Sequence, residues 1–194
     1  MVEPGNRASV VVFDAMGVLY EVGDDETELL IPYLRELGCK LPEADVRGLY
    51  RRASLGHLTS DEFWAACGVD GDDATYCSRH RLMPGMKALL EDLAALGTHV
   101  ACLSNDVSEW SRILRQQFGL DSLIRTWVVS GDIGVRKPDA GAFLALSELA
   151  GVPLDQMVFF DDREANADAA RAAGMNAVVF RSVAQARQLL FPNR

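Results

Sequence analysis

Cysteine, histidine and lysine are all scarce in this chain of 194 residues. None of the four cysteines forms a Cys-x-x-Cys pair and the three histidines are scattered, so we expect no zinc site built from them. No apolar run approaches the roughly 20 residues of a membrane-spanning helix, and residues 1–8 lack the apolar core of a signal peptide. The net charge of −9 argues against nucleic acid and anionic membranes as partners. We therefore expect a cytoplasmic protein with free thiols, either a monomer or a homodimer.

What the chain does contain is an alternation of strand-like and helical segments. Apolar runs predict five strands, at Ser9–Phe13, Thr98–Leu103, Thr126–Val129, Met157–Phe160 and Asn176–Phe180. Helical spacing predicts Pro84–Leu96, Val107–Phe118, Ala140–Ala150 and Glu164–Ala173. The glycine that follows each of these helices predicts a left-handed C-cap, at Gly97, Gly119, Gly151 and Gly174. Strands that are apolar on both faces and alternate with helices predict an α/β fold with a doubly wound parallel sheet.

Residues 21–83 interrupt this alternation with a helical pattern. The predicted helices are Glu26–Leu37, Glu43–Leu55, Ser60–Cys67 and Asp73–Leu82. Thr59 and Glu62 predict a capping box for the third, and Pro32 predicts a late start or a kink in the first. We expect residues 21–83 to form a small all-helical cap over the strand ends, and residues 1–20 and 84–194 to form the core.

Polar side chains follow four of the predicted strands. Asp14 ends the first, Ser104 and Asn105 end the second, Lys137 lies in the loop after the third, and Asp161-Asp162 ends the fourth. The carboxyl ends of parallel strands converge on one crevice, so these residues can become neighbours. A carboxylate can attack phosphorus, paired carboxylates suit Mg²⁺, and a hydroxyl and an ammonium can hold phosphate oxygens.

In this order the four segments resemble the motifs of the haloacid dehalogenase-like hydrolase superfamily. The segments are Val-Val-Phe-Asp14, Cys-Leu-Ser104-Asn105, Arg-Lys137-Pro-Asp and Val-Phe-Phe-Asp161-Asp162. The resemblance implies a Rossmann-like core, and the inserted helices resemble the family's cap. It also implies a hydrolase with Mg²⁺ as cofactor and a small anionic, phosphorylated substrate.

The resemblance also implies roles for single residues. Asp14 would be the nucleophile, and Ser104, with the Asn105 amide, would bind the transferring group. Lys137 would hold the nucleophile and the phosphate. The metal ligands would be Asp14, the backbone carbonyl of Met16, Asp162 as the principal carboxylate and Asp161 as an assisting one.

Met16 departs from the pattern, because the family's phosphatases carry an aspartate two residues after the nucleophile as general acid and base. Its loss would typically cost about 10²–10⁴ in rate. A cap residue such as His57, or the substrate itself, can replace the proton carrier, or the substrate can carry a good leaving group. The side chain of Met16 is expected in the wall of the substrate site.

Three functions therefore stay open. The first is a Mg²⁺-dependent phosphatase that works through an aspartyl-phosphate at Asp14. The second is a metal-free haloacid dehalogenase-like hydrolase, a branch that also lacks the second aspartate but fits Asp161-Asp162 less well. The third is a phospholigand-binding or regulatory protein with weak turnover. A phosphonate-cleaving enzyme is disfavoured, because the surroundings of Lys40 do not resemble the required lysine motif.

Overall fold

The centre of the computed structural model, which describes residues 9–192, is a five-stranded parallel sheet. Its strands are β1 (Val10–Phe13), β2 (His99–Ser104), β3 (Thr126–Val129), β4 (Met157–Asp161) and β5 (Asn176–Val179). They lie in the order β3-β2-β1-β4-β5, and Val12 of β1 pairs with Ala101 on one side and with Phe159 on the other. The predicted doubly wound parallel sheet is confirmed.

Helices cover both faces of the sheet. They are α1 (Ile31–Glu36), α2 (Glu43–Ala53), α3 (Ser60–Ala66), α4 (Asp73–Cys77), α5 (Met86–Ala95), α6 (Ser108–Gln117), α7 (Ser130–Ile133), α8 (Ala140–Ala150), α9 (Glu164–Ala172) and α10 (Val183–Leu190). A π-helix (Glu26–Leu30) precedes α1 and a 3₁₀ turn (Leu154–Gln156) precedes β4. Side chains of α5, α6 and α10 pack with Val11 and Phe13 on one face. Those of α8 and α9 pack with Val10 and Val12 on the other.

The predicted left-handed glycines at the ends of four core helices are confirmed. Gly97, Gly119, Gly151 and Gly174 all have positive φ angles, at 69°, 66°, 68° and 97°. Two helices were not predicted. The four residues of α7 are too few to show a helical period. The second, α10, begins at a cap formed by Ser182, whose hydroxyl accepts from the backbone N–H of Gln185 at 3.1 Å.

The segment between β1 and α5 is helical, with two departures from the predicted helices. The first helix does not run as one α-helix over Glu26–Leu37, because a π-helix precedes α1 and leaves Pro32 near the α-helical start, where its missing N–H costs least. The fourth ends at Cys77 instead of Leu82, because Leu82 forms a bridge with Tyr20. The Thr59–Glu62 capping box is confirmed.

This helical insertion packs against the core through Trp110 of α6. The Trp110 ring lies 4.6–6.1 Å, between centroids, from four aromatic rings of the insertion: Tyr50, Phe63, Trp64 and Tyr76. Aromatic contacts of this kind each add to the gain from burial, so one apolar cluster joins insertion and sheet. The boundaries after residues 20 and 83 stay a prediction. Across residues 9–192, no helix combines the length and the apolarity needed to cross a membrane.

Candidate active site

The predicted polar residues meet where the winding of the sheet reverses, between β1 and β4. Asp14 follows β1 directly, Asp161 ends β4, and Ser104 ends the neighbouring β2. Lys137 reaches the same place from the loop between α7 and α8. The crevice outside such a switch point is where doubly wound sheets bind ligands.

Lys137 is the electrostatic centre of this group. Its ammonium is buried and lies 2.6 Å from Asp14 Oδ1 and 2.8 Å from Asp161 Oδ2. Burial alone would lower its pKa, but the charges of Asp14 and Asp161 outweigh burial and raise it. Lys137 is therefore a fixed cation that joins the ends of two strands.

Asp161 holds Lys137 in place. Its two oxygens accept from Lys137 Nζ, from the backbone N–H of Arg163 at 2.9 Å, and from Asn166 Nδ2 at 3.0 Å each. Burial opposes ionisation, yet Lys137 and these donors lower the pKa of Asp161. Both oxygens of this fully buried carboxylate already have protein partners.

Asn105 supports the lysine loop from the other side. Its side-chain amide donates to the carbonyl of Lys137 at 2.9 Å, and its side-chain oxygen accepts from the Lys137 N–H at 2.8 Å. This paired contact fixes the backbone that carries the ammonium. The side chain of Asn105 thus contacts Lys137, and the predicted role of the Asn105 amide in ligand binding stays a prediction.

The surroundings of Asp14 and Asp162 disfavour the charged forms of both carboxylates. Carboxylate oxygens of Asp14, Asp161 and Asp162 lie within 4.8 Å of one another, and Asp162 Oδ1 is buried with no hydrogen-bond partner. Burial and the charge of Asp161 raise the pKa of Asp14 to about 8, and the same two causes raise the pKa of Asp162. A hard divalent cation would satisfy both carboxylates, so these residues fit Mg²⁺.

Two glycines shape the space around Asp162. A Cβ atom would lie 2.4 Å from Asp162 Oδ2 if built on Gly17 and 2.8 Å if built on Gly23. Gly17 also has a positive φ of 74°, a conformation that glycine adopts without penalty. The backbone after β1 therefore closes tightly on this carboxylate.

A cavity of about 30 Å³ opens beside Asp14 and Lys137. Ser104 lines it, and the Ser104 hydroxyl is buried without a hydrogen-bond partner, so it is available to a ligand. The side chain of Met16, 8% exposed, forms part of the wall. His57 and Lys40 are exposed and do not line this cavity.

Sequence reasoning missed five further residues that line the cavity: Asp25, Glu26, Tyr50, Arg136 and Arg163. The run Asp24-Asp25-Glu26 after Gly23 was the available signal for the first two, since acidic residues at the start of an insertion over strand ends can face the site. Arg136 could have been inferred from its place beside Lys137. Tyr50 and Arg163 carried no distinguishing signal.

The fold and this crevice define an α/β enzyme with a carboxylate and a buried lysine at a topological switch point. The sequence model of the haloacid dehalogenase-like hydrolases matches residues 8–174, and the chain belongs to this family. The predicted membership and the predicted hydrolase class are confirmed.

Curated relatives and solved structures agree with this assignment. A phosphoglycolate phosphatase of Pseudomonas syringae pv. tomato is 29% identical over 192 residues, which covers 90% of this chain and 70% of the relative. One of Pseudomonas putida is 28% identical with the same coverage. The fold is similar to that of a HAD-family enzyme of Bacteroides thetaiotaomicron solved with magnesium and inorganic phosphate, with a TM-score of 0.76, 21% identity, and coverage of 90% of this chain and 94% of that one.

Proposed function

We propose that the protein is a Mg²⁺-dependent phosphatase that hydrolyses a small phosphorylated metabolite through an aspartyl-phosphate on Asp14. One observation carries the proposal: a carboxylate, a buried ammonium and an unpartnered hydroxyl surround the same cavity, beside a second carboxylate that lacks a partner. The phosphatase names of the relatives support the reaction class, and the magnesium and phosphate of the Bacteroides enzyme support the ligands.

In this mechanism the carboxylate of Asp14 attacks phosphorus. The new bond joins an Asp14 oxygen to phosphorus, and the electron pair of the breaking P–O bond goes to the leaving oxygen. Lys137 and the Ser104 hydroxyl hold phosphate oxygens and stabilise the charge that develops on them. Water then cleaves the aspartyl-phosphate, releases inorganic phosphate and regenerates Asp14.

Asp14, Asp162 and the backbone carbonyl of Met16 would hold Mg²⁺, and Asp161 would assist. When bound, the cation neutralises charge on the phosphate and on the carboxylates. The protein's own part is to hold Asp14 beside Lys137, whose ammonium favours the ionised carboxylate. Because Lys137 alone leaves the pKa of Asp14 at about 8, a second cation is needed for a full nucleophile population at neutral pH.

The dehalogenase alternative fits this arrangement less well. A displacement at carbon that uses no metal gives no role to a buried, unpartnered carboxylate oxygen beside the nucleophile. Asp162 Oδ1 is such an atom, and burying it without a partner costs free energy. A ligand-binding protein with weak turnover remains a second candidate, because Met16 takes the place of the usual proton carrier.

The substrate class can be narrowed within this proposal. Arg136 and Arg163 line the cavity, and guanidinium groups favour carboxylates and phosphates. We therefore propose a small phosphomonoester with a second anionic group. Phosphoglycolate, the compound in the names of the relatives, is the first substrate to test.

A substrate screen with and without Mg²⁺ tests the function. Phosphoglycolate, alkyl phosphates, p-nitrophenyl phosphate and 2-haloacids are assayed with the protein and with Asp14→Asn as the matched inactive control. We expect Mg²⁺-dependent phosphate release by the protein alone, and an acid-stable, hydroxylamine-sensitive phosphoprotein after rapid quenching. Halide release without metal would favour the dehalogenase, and ligand binding with no release from any ester would favour the binding protein.

The compartment and the oligomeric state of the protein are part of the same proposal. All four cysteines are free and buried, which supports a reducing compartment such as the cytoplasm. We retain a monomer or a homodimer as the expected state.

A further inference from the structure

Hydrolysis at Asp14 leaves a proton unaccounted for. When Asp14 displaces an alcohol from phosphorus, the departing oxygen carries the electron pair of the broken bond and needs a proton in the transition state. Water must lose a proton when it later attacks the aspartyl-phosphate. The thioether of Met16 can neither give nor take that proton.

Few of the residues that line the cavity can move a proton near neutral pH. Lys137 is fixed between two carboxylates that raise its pKa. Guanidinium groups act only as hydrogen-bond donors, which excludes Arg136 and Arg163, and burial raises the pKa of Tyr50 well above its usual value. Apart from the nucleophile, this leaves the carboxyl groups of Asp25 and Glu26.

Asp25 is buried, and its environment favours a carboxyl that gains and loses a proton. It is 5% exposed and accepts a hydrogen bond from the Tyr76 hydroxyl at 3.2 Å. Burial raises its pKa to about 6, the charges of Glu26 and Asp24 raise it as well, and the Tyr76 hydrogen bond opposes them. The other titratable groups coupled to it are Tyr50, Cys77 and Asp106. A pKa near the working pH is what general acid–base catalysis requires.

Glu26 is less suited to this role. It is partly exposed, and Arg47 lies 3.8 Å from its carboxylate. Burial raises its pKa, but Arg136 and Arg47 work against burial and favour the charged form. The Glu26 carboxylate is thus partly open to solvent and close to a cation, whereas the Asp25 carboxyl is buried.

We propose that Asp25, a residue of the helical insertion, is the general acid and base of this hydrolase and does the work that Met16 cannot do. The proposal rests on the phosphatase function proposed above. It assigns a catalytic role to a residue eleven positions after the nucleophile, in the helical insertion instead of the core.

Atoms and charges balance through both half-reactions. As Asp14 bonds to phosphorus, the P–O bond to the alcohol breaks, and protonated Asp25 gives its proton to the alcohol oxygen. The Asp25 carboxylate then takes a proton from water, whose oxygen attacks phosphorus while the electron pair of the P–O bond returns to Asp14. Because alcohol and water occupy the same side of phosphorus, opposite Asp14, one carboxyl group can serve both steps.

Asp25→Asn separates these steps, because the amide can still accept from Tyr76 but cannot transfer the proton. Turnover of a simple alkyl phosphate should fall about 10²–10⁴-fold. With p-nitrophenyl phosphate, whose leaving group needs no proton, we expect a rapid burst of about one nitrophenolate per enzyme, followed by slow turnover and accumulation of aspartyl-phosphate. The burst is the informative readout, since a merely structural defect would reduce both substrates alike.

Matched variants test whether a loss of activity comes from a folding defect. Glu28→Gln removes an exposed carboxylate of the same helical turn that does not line the cavity, and it should leave turnover within a few-fold of the parent protein. Tyr76→Phe removes the hydrogen bond that lowers the pKa of Asp25, but it leaves the Asp25 carboxyl able to transfer a proton. Activity should therefore persist, with its pH profile moved to higher pH. In the Asp25→Asn background, Met16→Asp should restore alkyl phosphate turnover at least in part.

The failures of the two proposals are distinguishable. Equal turnover of alkyl phosphate by Asp25→Asn and an active parent protein would overturn the role of Asp25 alone. Equal losses with both esters and no burst would do the same. If the parent protein formed no aspartyl-phosphate from any ester, the phosphatase function and the role of Asp25 would both be wrong.

Discussion

Replacing Gly17 by alanine tests whether the backbone after β1 positions Asp162 for a cation. The added Cβ would lie 2.4 Å from Asp162 Oδ2, so the carboxylate must move by about 1 Å to reach ordinary contact. Mg²⁺ demands ligands at about 2.0–2.1 Å in near-octahedral geometry. Losing a group that orients a ligand typically costs about 10–100-fold in metal affinity, and we expect a loss of that size.

The same substitution also carries a backbone penalty, which needs its own control. Gly17 has a φ of 74° and Gly97 a φ of 69°, but no atom lies within 4 Å of a Cβ built on Gly97. Both alanine variants should therefore lose about 1–2 kcal/mol of unfolding free energy. Gly23→Ala separates the two effects in the opposite way. Its added Cβ would lie 2.8 Å from Asp162 Oδ2, but Gly23 does not have a positive φ, so this variant carries no such backbone penalty.

Urea unfolding with and without Mg²⁺, together with calorimetric Mg²⁺ titration, separates the two effects. Gly97→Ala should keep the parent protein's Mg²⁺ affinity, whereas Gly17→Ala and Gly23→Ala should weaken it and lose stabilisation by Mg²⁺. Unchanged Mg²⁺ affinity in Gly17→Ala, or an equal loss in Gly97→Ala, would refute the reasoning.

Three further outcomes follow from the buried charges. Lys137→Met should lower the unfolding free energy by about 3–5 kcal/mol at pH 7 in urea denaturation, because the buried carboxylate of Asp161 loses its cation. Mg²⁺ binding at pH 7 should release close to one proton, measured by calorimetry in buffers of different ionisation enthalpy, because the pKa of Asp14 is about 8 without a cation. Asp25 has a folded pKa of about 6 against 3.8 in the unfolded chain, so it binds more protons when folded and destabilises the protein as pH rises between these values. Asp25→Asn should therefore gain stability over the parent protein across that window, by up to about 3 kcal/mol above pH 6, in urea denaturation at several pH values.

The sheet could be predicted from sequence because its signals are local. Each buried strand is an apolar run, and glycines such as Gly97 and Gly151 mark helix ends through their positive φ. The strand-end residues Asp14 and Lys137 could be placed together for the same reason, since strand polarity fixes which ends share an edge. α7 escaped prediction because four residues have no period.

The resemblance implied that Asp162 is the principal metal ligand and Asp161 an assisting one, but the contacts that distinguish these residues could not be predicted. Asp161 and Asp162 are adjacent and chemically identical, yet one binds Lys137 and the other keeps a buried oxygen without a partner. Asn105 was predicted to bind the ligand, and its side-chain contacts with the lysine loop were not foreseen. The place of Asp25 in the cavity could not be predicted, because the packing of the insertion, rather than any local sequence pattern, brings it there. Such assignments depend on long-range contacts that one sequence does not encode locally.

Placing the proton carrier on the insertion changes what controls turnover. A carboxylate at position 16 would share its segment with Asp14, whereas Asp25 is held by Tyr76 of the insertion and joined to the core through Trp110. Nucleophile and acid then meet only while the insertion packs against α6. The cavity is lined by Asp25 and Tyr50 of the insertion together with Asp14 and Ser104 of the core. We therefore expect attack on a poor leaving group to depend on the packing of the insertion against the core.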